Sequence, residues 1–473
     1  MRTSTLPVII QGGMGVGVSS WQLAREVARA GHLGVVSGTA LDATVARRLQ
    51  DGDNGGHLRR ALAAFPDQAM AERILARYFL PAGRAPGTPY RPVPRLGLHP
   101  SASNQELTVV ANFVEVWLAR EGHDGLVGIN YLEKIQLATA AAALGAIIAG
   151  VDFVLMGAGV PRQIPRLLTD LAEGRAGGVD VEVDGADEPV RVGVDPSALF
   201  GDRLPPLRRP RFLAIVSAAV LATYLAREES TRPDGFIVEG HVAGGHNAPP
   251  RGKVVLEHGQ PVYGARDEVD VAKIAALGLP FWLAGGYGSP DRVAEALAAG
   301  AAGVQVGSLF ALATESGLRR ELKEHLRSEL TAGDLDVRTD PGASPTSFPF
   351  KVVQVDGTLA QPEVFEARPR LCDLGYLRTP YAAADGHIGF RCPAEPVAAF
   401  VRKGGDAAVT EGRICLCNAL TATVGVGQTR PDGYTEASLV TLGSDLSGLH
   451  ALAGRHPDGW TAEEAVRYLV GAV

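Results

Sequence analysis

Short apolar runs alternate with longer amphipathic stretches along the first 320 residues of this chain. Each run ends in glycine or another turn residue, and an Ala/Leu-rich stretch with helical periodicity follows. Strands that are apolar throughout and separated by helices are typical of a parallel sheet covered on both faces. The runs lie at residues 7–15, 33–39, 125–131, 152–159, 212–217, 235–240, 280–286 and 303–308.

Eight strand–helix units predict an α/β fold, a (β/α)8 TIM barrel, with a doubly wound parallel sheet as the alternative. Two insertions interrupt the rhythm. Residues 40–124 include a Pro/Gly-rich extended segment and are expected to form a lid or helical excursion over the barrel mouth. Residues 174–210 alternate in polarity around Asp184-Gly185, which predicts a hairpin. The alternation of strands and helices stops after about residue 320, so we predict a barrel over residues 1–320 and a smaller module over 340–473.

Composition narrows the class of partner. Apolar residues make up 46% and charged residues 21% of the chain, as in ordinary globular proteins. The formal net charge of −7 argues against nucleic acid or an anionic membrane as the main partner. No signal peptide or membrane span is apparent, which predicts a cytoplasmic protein acting on a small molecule. A homo-oligomer is compatible with the sequence, which leaves the oligomeric state open.

Glycine is unusually frequent, with 58 residues, and it gathers where the apolar runs end. In a barrel, the carboxyl ends of the strands carry the functional site. Glycine backbone admits a flat or phosphorylated ligand closely, and the loops after strands seven and eight commonly bind phosphate through N–H groups. The candidate binding residues at these ends are Gly13, Met14, Gly15, Asn130, Gly244, Gly245, Gly285, Gly286, Gly307 and Ser308.

The sixth run, GFIVEGHVAGGHN, adds titratable groups to this edge. His246 follows the glycine pair, and an imidazole can move a proton near neutral pH. His241 is a candidate substrate contact. Glu239 ends the strand and is expected to orient a loop or a cofactor edge rather than to act as a base. Arg251 and Lys253 could reach an anionic substrate, although a solvated loop is the default interpretation.

Taken in order, PVIIQGGMG, GIN, LMGAG, VEGHVAGGH and LAGGYGSPDRVAEALAAGAAGVQVGSLF resemble the nitronate monooxygenase (2-nitropropane dioxygenase) family. The FMN-dependent enoyl-acyl-carrier-protein reductases share this barrel and most of these motifs. The resemblance spans residues 6 to about 316, apart from the insertions, and implies FMN at the barrel mouth. It implies that Gly13 to Gly15 run along the isoalloxazine, that Asn130 faces the flavin, and that Gly244 and Gly245 flank it.

The resemblance further implies that Gly285, Gly286, Gly307 and Ser308 hold the phosphate, and that His246 is the active-site histidine. His246 would abstract a proton next to a nitro group or orient a nitronate anion. The leading hypothesis is oxidation of alkyl nitronates with O2 to a carbonyl compound and nitrite. The alternative is NAD(P)H-dependent reduction of an enoyl thioester or similar activated alkene. A third class, a non-catalytic flavin-binding module, is disfavoured by His246.

The four cysteines form a separate signal, because all of them lie in the C-terminal segment. Cys372, Cys392, Cys415 and Cys417 could supply a four-thiolate site for zinc or an iron–sulfur cluster. Their spacing matches no standard finger or ferredoxin motif, and a set of buried thiols is the equal alternative.

Overall fold

The computed structural model describes residues 6–472, so residues 1–5 of the predicted barrel and residue 473 of the predicted C-terminal module lie outside the described part. The strands are β1 (Ile9–Gln11), β2 (Gly34–Ser37), β3 (Val127–Leu132), β4 (Phe153–Gly157), β5 (Gly177–Val181), β6 (Val190–Val194), β7 (Arg211–Val216), β8 (Gly235–Glu239), β9 (Leu256–Glu257), β10 (Gln260–Pro261), β11 (Phe281–Ala284), β12 (Gly303–Val306), β13 (Val337–Asp340), β14 (Phe350–Val353), β15 (Thr379–Ala382) and β16 (Ile388–Arg391).

The main sheet has the strand order β1-β12-β11-β8-β7-β4-β3-β2, and every pairing in it is parallel. It closes where Leu33 meets β1: the N–H of Leu33 donates to Ile9 O at 3.1 Å, and the N–H of Gln11 donates to Leu33 O at 3.0 Å. An open doubly wound sheet would leave these strands as edges. The predicted barrel is therefore confirmed, and its strands correspond to the eight apolar runs.

The barrel interior is a packed apolar core rather than a pore. Its members come from most of the barrel strands and include Ile10, Val35, Leu155 and Ile237. Trp282 closes one end, with its side chain fully buried and its indole N–H donating to Pro7 O at 2.7 Å. Any ligand must therefore bind outside the carboxyl ends of the strands.

Helices cover the outside of the barrel and fill the insertions. They are α1 (Trp21–Arg29), α2 (Leu41–Gln50), α3 (His57–Ala63), α4 (Gln68–Tyr78), α5 (Ala102–Arg120), α6 (Gln136–Ile148), α7 (Ile164–Ala172), α8 (Pro196–Phe200), α9 (Ala219–Ala226), α10 (Val271–Ala275), α11 (Pro290–Ala298), α12 (Ser308–Ala311), α13 (Arg320–Ala332), α14 (Pro362–Ala367), α15 (Val397–Arg402), α16 (Leu416–Thr423), α17 (Ser447–Arg455) and α18 (Ala462–Leu469). Short 3-10 turns lie at Asn54–Gly56, Gly201–Arg203 and Ala407–Thr410.

Local sequence explains where several of these elements begin and turn. Ser20 caps α1 by accepting from the N–H of Leu23 at 3.2 Å. In the second insertion, β5 and β6 pair antiparallel as predicted. Residues 182–189 connect them, so the loop is longer than a two-residue turn, and Gly185 takes the left-handed conformation (φ +80°) within it.

The C-terminal segment packs onto the barrel along much of its length. Its apolar side chains belong to the same core cluster as those of the outer helices. Trp460 is the largest of them: its indole N–H donates to Leu309 O at 2.8 Å, and its carbonyl accepts from Thr314 N–H at 2.9 Å. Within residues 6–472, no helix has both the length and the apolar character needed to cross a bilayer.

Candidate functional site

A cavity of about 250 Å³ lies at the carboxyl ends of the barrel strands. It is lined by the ends of β1, β3, β4, β8, β11 and β12 and by the loops that follow them. Every predicted binding residue and the predicted catalytic histidine line it: Gly13, Met14, Gly15, Asn130, Gly244, Gly245, His246, Gly285, Gly286, Gly307 and Ser308. The sequence motifs therefore converge in space, and the individual roles assigned to these residues stay predictions.

One wall is glycine backbone packed against Asn130. The Asn130 amide donates to Gly13 O at 2.9 Å. A Cβ placed on Gly13 would lie 2.2 Å from the Asn130 Cβ, closer than any real contact. Glycine is thus required at this position by the fold of the cavity itself, and its bare backbone can lie against a flat ring system.

The opposite wall is built from the loops after β11 and β12. Gly285 and Gly286 both take the left-handed conformation, with φ of +81° and +83°, which L side chains rarely adopt. Ser308 accepts the N–H of Gly443 at 2.9 Å, so its own hydroxyl proton is free to donate to a ligand. Glycine N–H groups and a hydroxyl at these two strand ends are donors suited to a phosphate.

Two carboxamides in the cavity have unpartnered oxygens. Asn130 Oδ1 and Gln305 Oε1 are buried and accept no hydrogen bond within the described chain. A buried amide group that meets no partner costs free energy, so a ligand with matching donors and acceptors would stabilise this arrangement. The edge of an isoalloxazine has such groups. Gln305 was missed from the sequence, although a lone polar residue inside the apolar run GVQVGS was the available signal.

His246 lies under a segment of the C-terminal region. Its Nε2 is 2.8 Å from Ser344 Oγ, and its ring meets Phe350 edge-on, with ring centroids 4.9 Å apart. Burial, helped by the positive charge of Lys134, lowers the pKa of His246 to about 4. The imidazole is therefore neutral near pH 7.

Glu239 also lines the cavity, at the end of β8. Burial alone raises the pKa of its carboxyl to about 7, because no cation or hydrogen-bond donor engages it in the described chain. The sequence suggested an orienting role for Glu239. A carboxyl that orients a loop needs a hydrogen-bond partner, and Glu239 has none within residues 6–472.

The cover of the cavity comes from the C-terminal segment and not from the first insertion. No residue of 40–124 lines the cavity, so of the two forms predicted for this insertion, a lid or a helical excursion, the structure has the helical excursion. Residues 441–445, here called the C-terminal strap, lie against the loop after β8. Gly245 N–H donates to Thr441 Oγ1 at 2.8 Å, and Ser444 N–H donates to Val242 O at 2.9 Å.

His241 and Arg251 lie away from this cavity. Both line a second, smaller cavity that Glu239 also lines, where His241 stacks on Tyr263 with ring centroids 4.5 Å apart. The Arg251 guanidinium donates to the carbonyl oxygens of Arg266 and Ser217, so its hydrogen bonds are made to the protein backbone. The predicted substrate contact of His241 therefore has no support in the main cavity.

The structure gives no support for a metal centre at the four cysteines, although their thiols lie close enough to affect one another's pKa. Among the described residues, no group of three or more His, Cys, Asp or Glu side chains is arranged to hold a metal ion. Burial raises the pKa of Cys372 to about 11 and of Cys392 to about 12, so both stay protonated at neutral pH. A hydrogen bond from the Cys417 thiol lowers the pKa of Cys415 to about 7. The predicted zinc or iron–sulfur site is not found.

Comparison with known proteins identifies one family. Residues 207–339 match the family model described as "Nitronate monooxygenase". This stretch contains Glu239, His246 and the loops after β11 and β12, whose donors suit a phosphate. The resemblance is thus confirmed over this part of the chain, which includes VEGHVAGGH and the motifs of β11 and β12. No curated protein matches the chain significantly.

Several solved structures are similar in fold. FabK from Thermotoga maritima is 16% identical with a TM-score of 0.47, over 99% of this chain and 92% of that one. A nitroalkane oxidase from Streptomyces ansochromogenes is 16% identical with a TM-score of 0.47, over 99% and 96% of the two chains. The enoyl reductase domain of MlnA from Bacillus amyloliquefaciens is 12% identical with a TM-score of 0.47, over 99% and 94%. Likeness at this level carries no information about the substrate.

Proposed function

We propose that this chain, of which residues 207–339 match the nitronate monooxygenase family model, is a flavin-dependent oxidoreductase that binds FMN and reduces a neutral activated alkene such as an enoyl thioester. The observation that carries the choice of substrate is the charge of the cavity. Its lining contains the carboxyls of Glu239 and Asp445 and a neutral imidazole, and no Lys or Arg among the described residues.

The residues present suit FMN. Gly13 and Asn130 would face the ring, and Gln305 would meet its polar edge. Gly285, Gly286, Gly307 and Ser308 would hold the phosphate through N–H groups and one hydroxyl. When bound, FMN supplies hydride transfer between a nicotinamide and the alkene.

An anionic nitronate finds little compensation in such a cavity, because an anion moved out of water needs a cation or several donors. The cation that affects His246 is Lys134, which lies outside the lining. Its ammonium is 3.5 Å from Glu133 Oε2 and 5.1 Å from the centroid of the Phe348 ring. Lys134 is therefore already paired.

His246 acts in this proposal as a neutral hydrogen-bond donor. Ser344 Oγ accepts a hydrogen bond from the N–H of Thr346 and lies at hydrogen-bond distance from Nε2 of the imidazole. With the Ser344 hydroxyl donating to Nε2, the ring proton lies on Nδ1 and can donate to the thioester carbonyl. That bond polarises the alkene without any change of charge on the ring.

The second candidate is oxidation of alkyl nitronates with O2 to a carbonyl compound and nitrite. One observation favours this second candidate. His246 is neutral, and a neutral imidazole can accept a proton from the carbon next to a nitro group. In the first candidate the substrate bound in the cavity is reduced, and in the second it is oxidised.

One set of measurements separates them. Flavin released by heat is identified chromatographically; NADH or NADPH is then added anaerobically, followed by a 2-enoyl N-acetylcysteamine thioester. We expect FMN, bleaching by the nicotinamide and recolouring by the thioester. Nitrite release from ethyl nitronate in air, with no bleaching by either nicotinamide, would establish the second candidate instead. Absence of flavin would overturn both.

A pair of glycine variants tests the cofactor site directly. Gly13→Ala should purify without flavin, because the new Cβ would collide with Asn130. Gly97→Ala is the matched control, since a Cβ there meets nothing within 4 Å. Equal flavin content in the two variants would contradict the assigned ring position.

A further inference from the structure

Glu239 separates two cavities. Its side chain lines the main cavity at the barrel mouth and also a second cavity of about 30 Å³. Its backbone is fixed by pairing of β8 with β11, where Glu239 lies opposite Ala284. In the described chain no ion pair or hydrogen bond engages the carboxyl, so it is free to exchange a proton with either side.

The second cavity offers a polar route outward. Its walls include Asn247, whose Oδ1 is buried without a partner, and Tyr263, whose hydroxyl donates to Ala248 O at 3.1 Å. A volume of about 30 Å³ holds roughly two water molecules. Its outer rim is the exposed loop carrying Arg251 and Asp267, where Asp267 Oδ1 accepts the N–H of Arg251 at 2.7 Å.

The charged groups nearest Glu239 are Arg251 and Asp267 in the second cavity and Asp445 in the main cavity. On the outer side, Asp267 lies among Arg251 and His241, and His241 Nδ1 is 3.9 Å from Glu268 Oε1. On the inner side, His246 is neutral. Burial is the influence that raises the pKa of Glu239 to about 7, so a protonated fraction of this carboxyl is present near neutral pH. His246, with its pKa near 4, has no comparable acidic proton.

We propose that Glu239 is the proton donor of the reductive reaction: its carboxyl delivers a proton to the alkene carbon next to the thioester and regains one from solvent through the second cavity. This rests on the proposed function. In the overall reaction the alkene gains a hydride originating from the reduced nicotinamide and a proton from Glu239. The C=C π bond is replaced by two C–H bonds, the nicotinamide leaves oxidised, and the Glu239 carboxylate takes its next proton from water.

The test compares Glu239→Gln, which keeps the shape but has no acidic proton, with Glu257→Gln on the exposed strand β9. Flavin reduction by nicotinamide and flavin reoxidation by the enoyl thioester are followed separately by stopped flow. We expect Glu239→Gln to keep flavin content and the reduction rate, while reoxidation slows on the order of 10²- to 10⁴-fold, as for loss of a general acid. Glu239→Asp should restore part of the rate, and Glu257→Gln should match the wild type.

Two further readouts do not depend on turnover. Infrared difference spectra across pH 5 to 9 should contain a protonated-carboxyl band that titrates near pH 7 and vanishes in Glu239→Gln. The pH dependence of reoxidation should lose its ionisation near pH 7 in the same variant.

The outcomes separate the two proposals. Wild-type protein that never reoxidises with the thioester would remove the proposed function, and the assigned donor with it. Wild-type turnover accompanied by equally fast reoxidation in Glu239→Gln, with the pH profile unchanged, would overturn the proton-donor assignment alone. A variant that loses flavin is resolved by the infrared titration of wild-type protein, where absence of the band near pH 7 also overturns the assignment.

Discussion

Burial acts on His246 and Glu239 in opposite directions, because it disfavours the charged form of each. The histidine pKa falls to about 4 and the glutamate pKa rises to about 7. His246 is consequently neutral near pH 7 and Glu239 is only partly ionised, in a cavity without Lys or Arg in its described lining. At the residue scale the site is built for an uncharged reacting group, with one group that donates a hydrogen bond and one that exchanges a proton.

The raised pKa of Glu239 predicts a pH-dependent stability. The folded state binds the proton more tightly than the unfolded state, so stability is highest below the ordinary pKa of 4.5 and is lost as pH rises through 7. The loss is at most about 3 kcal/mol for a shift of this size. Glu239→Gln should therefore unfold at the wild-type temperature at pH 4.5 and at a higher temperature at pH 8, measured by calorimetry. An equal difference at both pH values would contradict burial of the ionisable carboxyl.

His246 predicts a kinetic effect without a large pH effect. His246→Ala should lower the rate of thioester reduction about 100-fold or more, because the carbonyl loses its donor. Since the ring is neutral above about pH 4, the size of the loss should be constant between pH 6 and 8 in steady-state assays. His325→Ala, on the exposed face of α13, should match the wild type. A loss that varies tenfold across this pH range would indicate that the ring changes charge.

At the scale of elements, the sequence predicted the eight barrel strands because each apolar run ends in a local turn signal. The sequence also predicted that Gly13, Gly285 and His246 lie at one edge, because the carboxyl ends of barrel strands meet there. The C-terminal strap was not predictable in this way. Thr441 meets Gly245 across 196 residues, and its segment has no motif that points to the barrel.

The strap predicts a steric requirement at Gly244. A Cβ there would lie 2.9 Å from the Leu442 carbonyl carbon and 3.0 Å from the Gly443 nitrogen, both backbone atoms that cannot step aside without moving the strap. Gly244→Ala should therefore increase the rate of flavin dissociation, on the order of 10-fold for a loss of about 1.4 kcal/mol. Flavin fluorescence after dilution measures that rate. Gly454→Ala, where a Cβ meets nothing within 4 Å, is the control. Equal dissociation from both variants would contradict a covering role for the strap.

At the scale of the whole molecule, the barrel and the C-terminal segment share one apolar core. The sequence predicts a second, smaller module over residues 340–473 packed against the barrel, because the strand–helix alternation stops after about residue 320. Periodicity reports which faces are apolar and does not report what they pack against. In the structure the core cluster runs from Ile9 in the first strand to Leu469 in the last helix. The predicted boundary therefore marks a change of architecture within a continuous core.

Trp460 is where this continuity can be tested. Its side chain is 1% exposed, its indole N–H donates to Leu309 O at 2.8 Å, and the Arg327 guanidinium lies 5.2 Å from its ring centroid. Leu309 itself lines the main cavity. Trp460→Ala should cost about 3–5 kcal/mol of unfolding free energy, as for a buried aromatic side chain. Since the core is shared, far-ultraviolet circular dichroism and flavin release should report one coincident transition at lower urea. Val470→Ala, at an exposed position, should leave the midpoint unchanged. Two separate transitions in Trp460→Ala, with flavin release at the wild-type midpoint, would instead indicate that the barrel folds without the C-terminal segment.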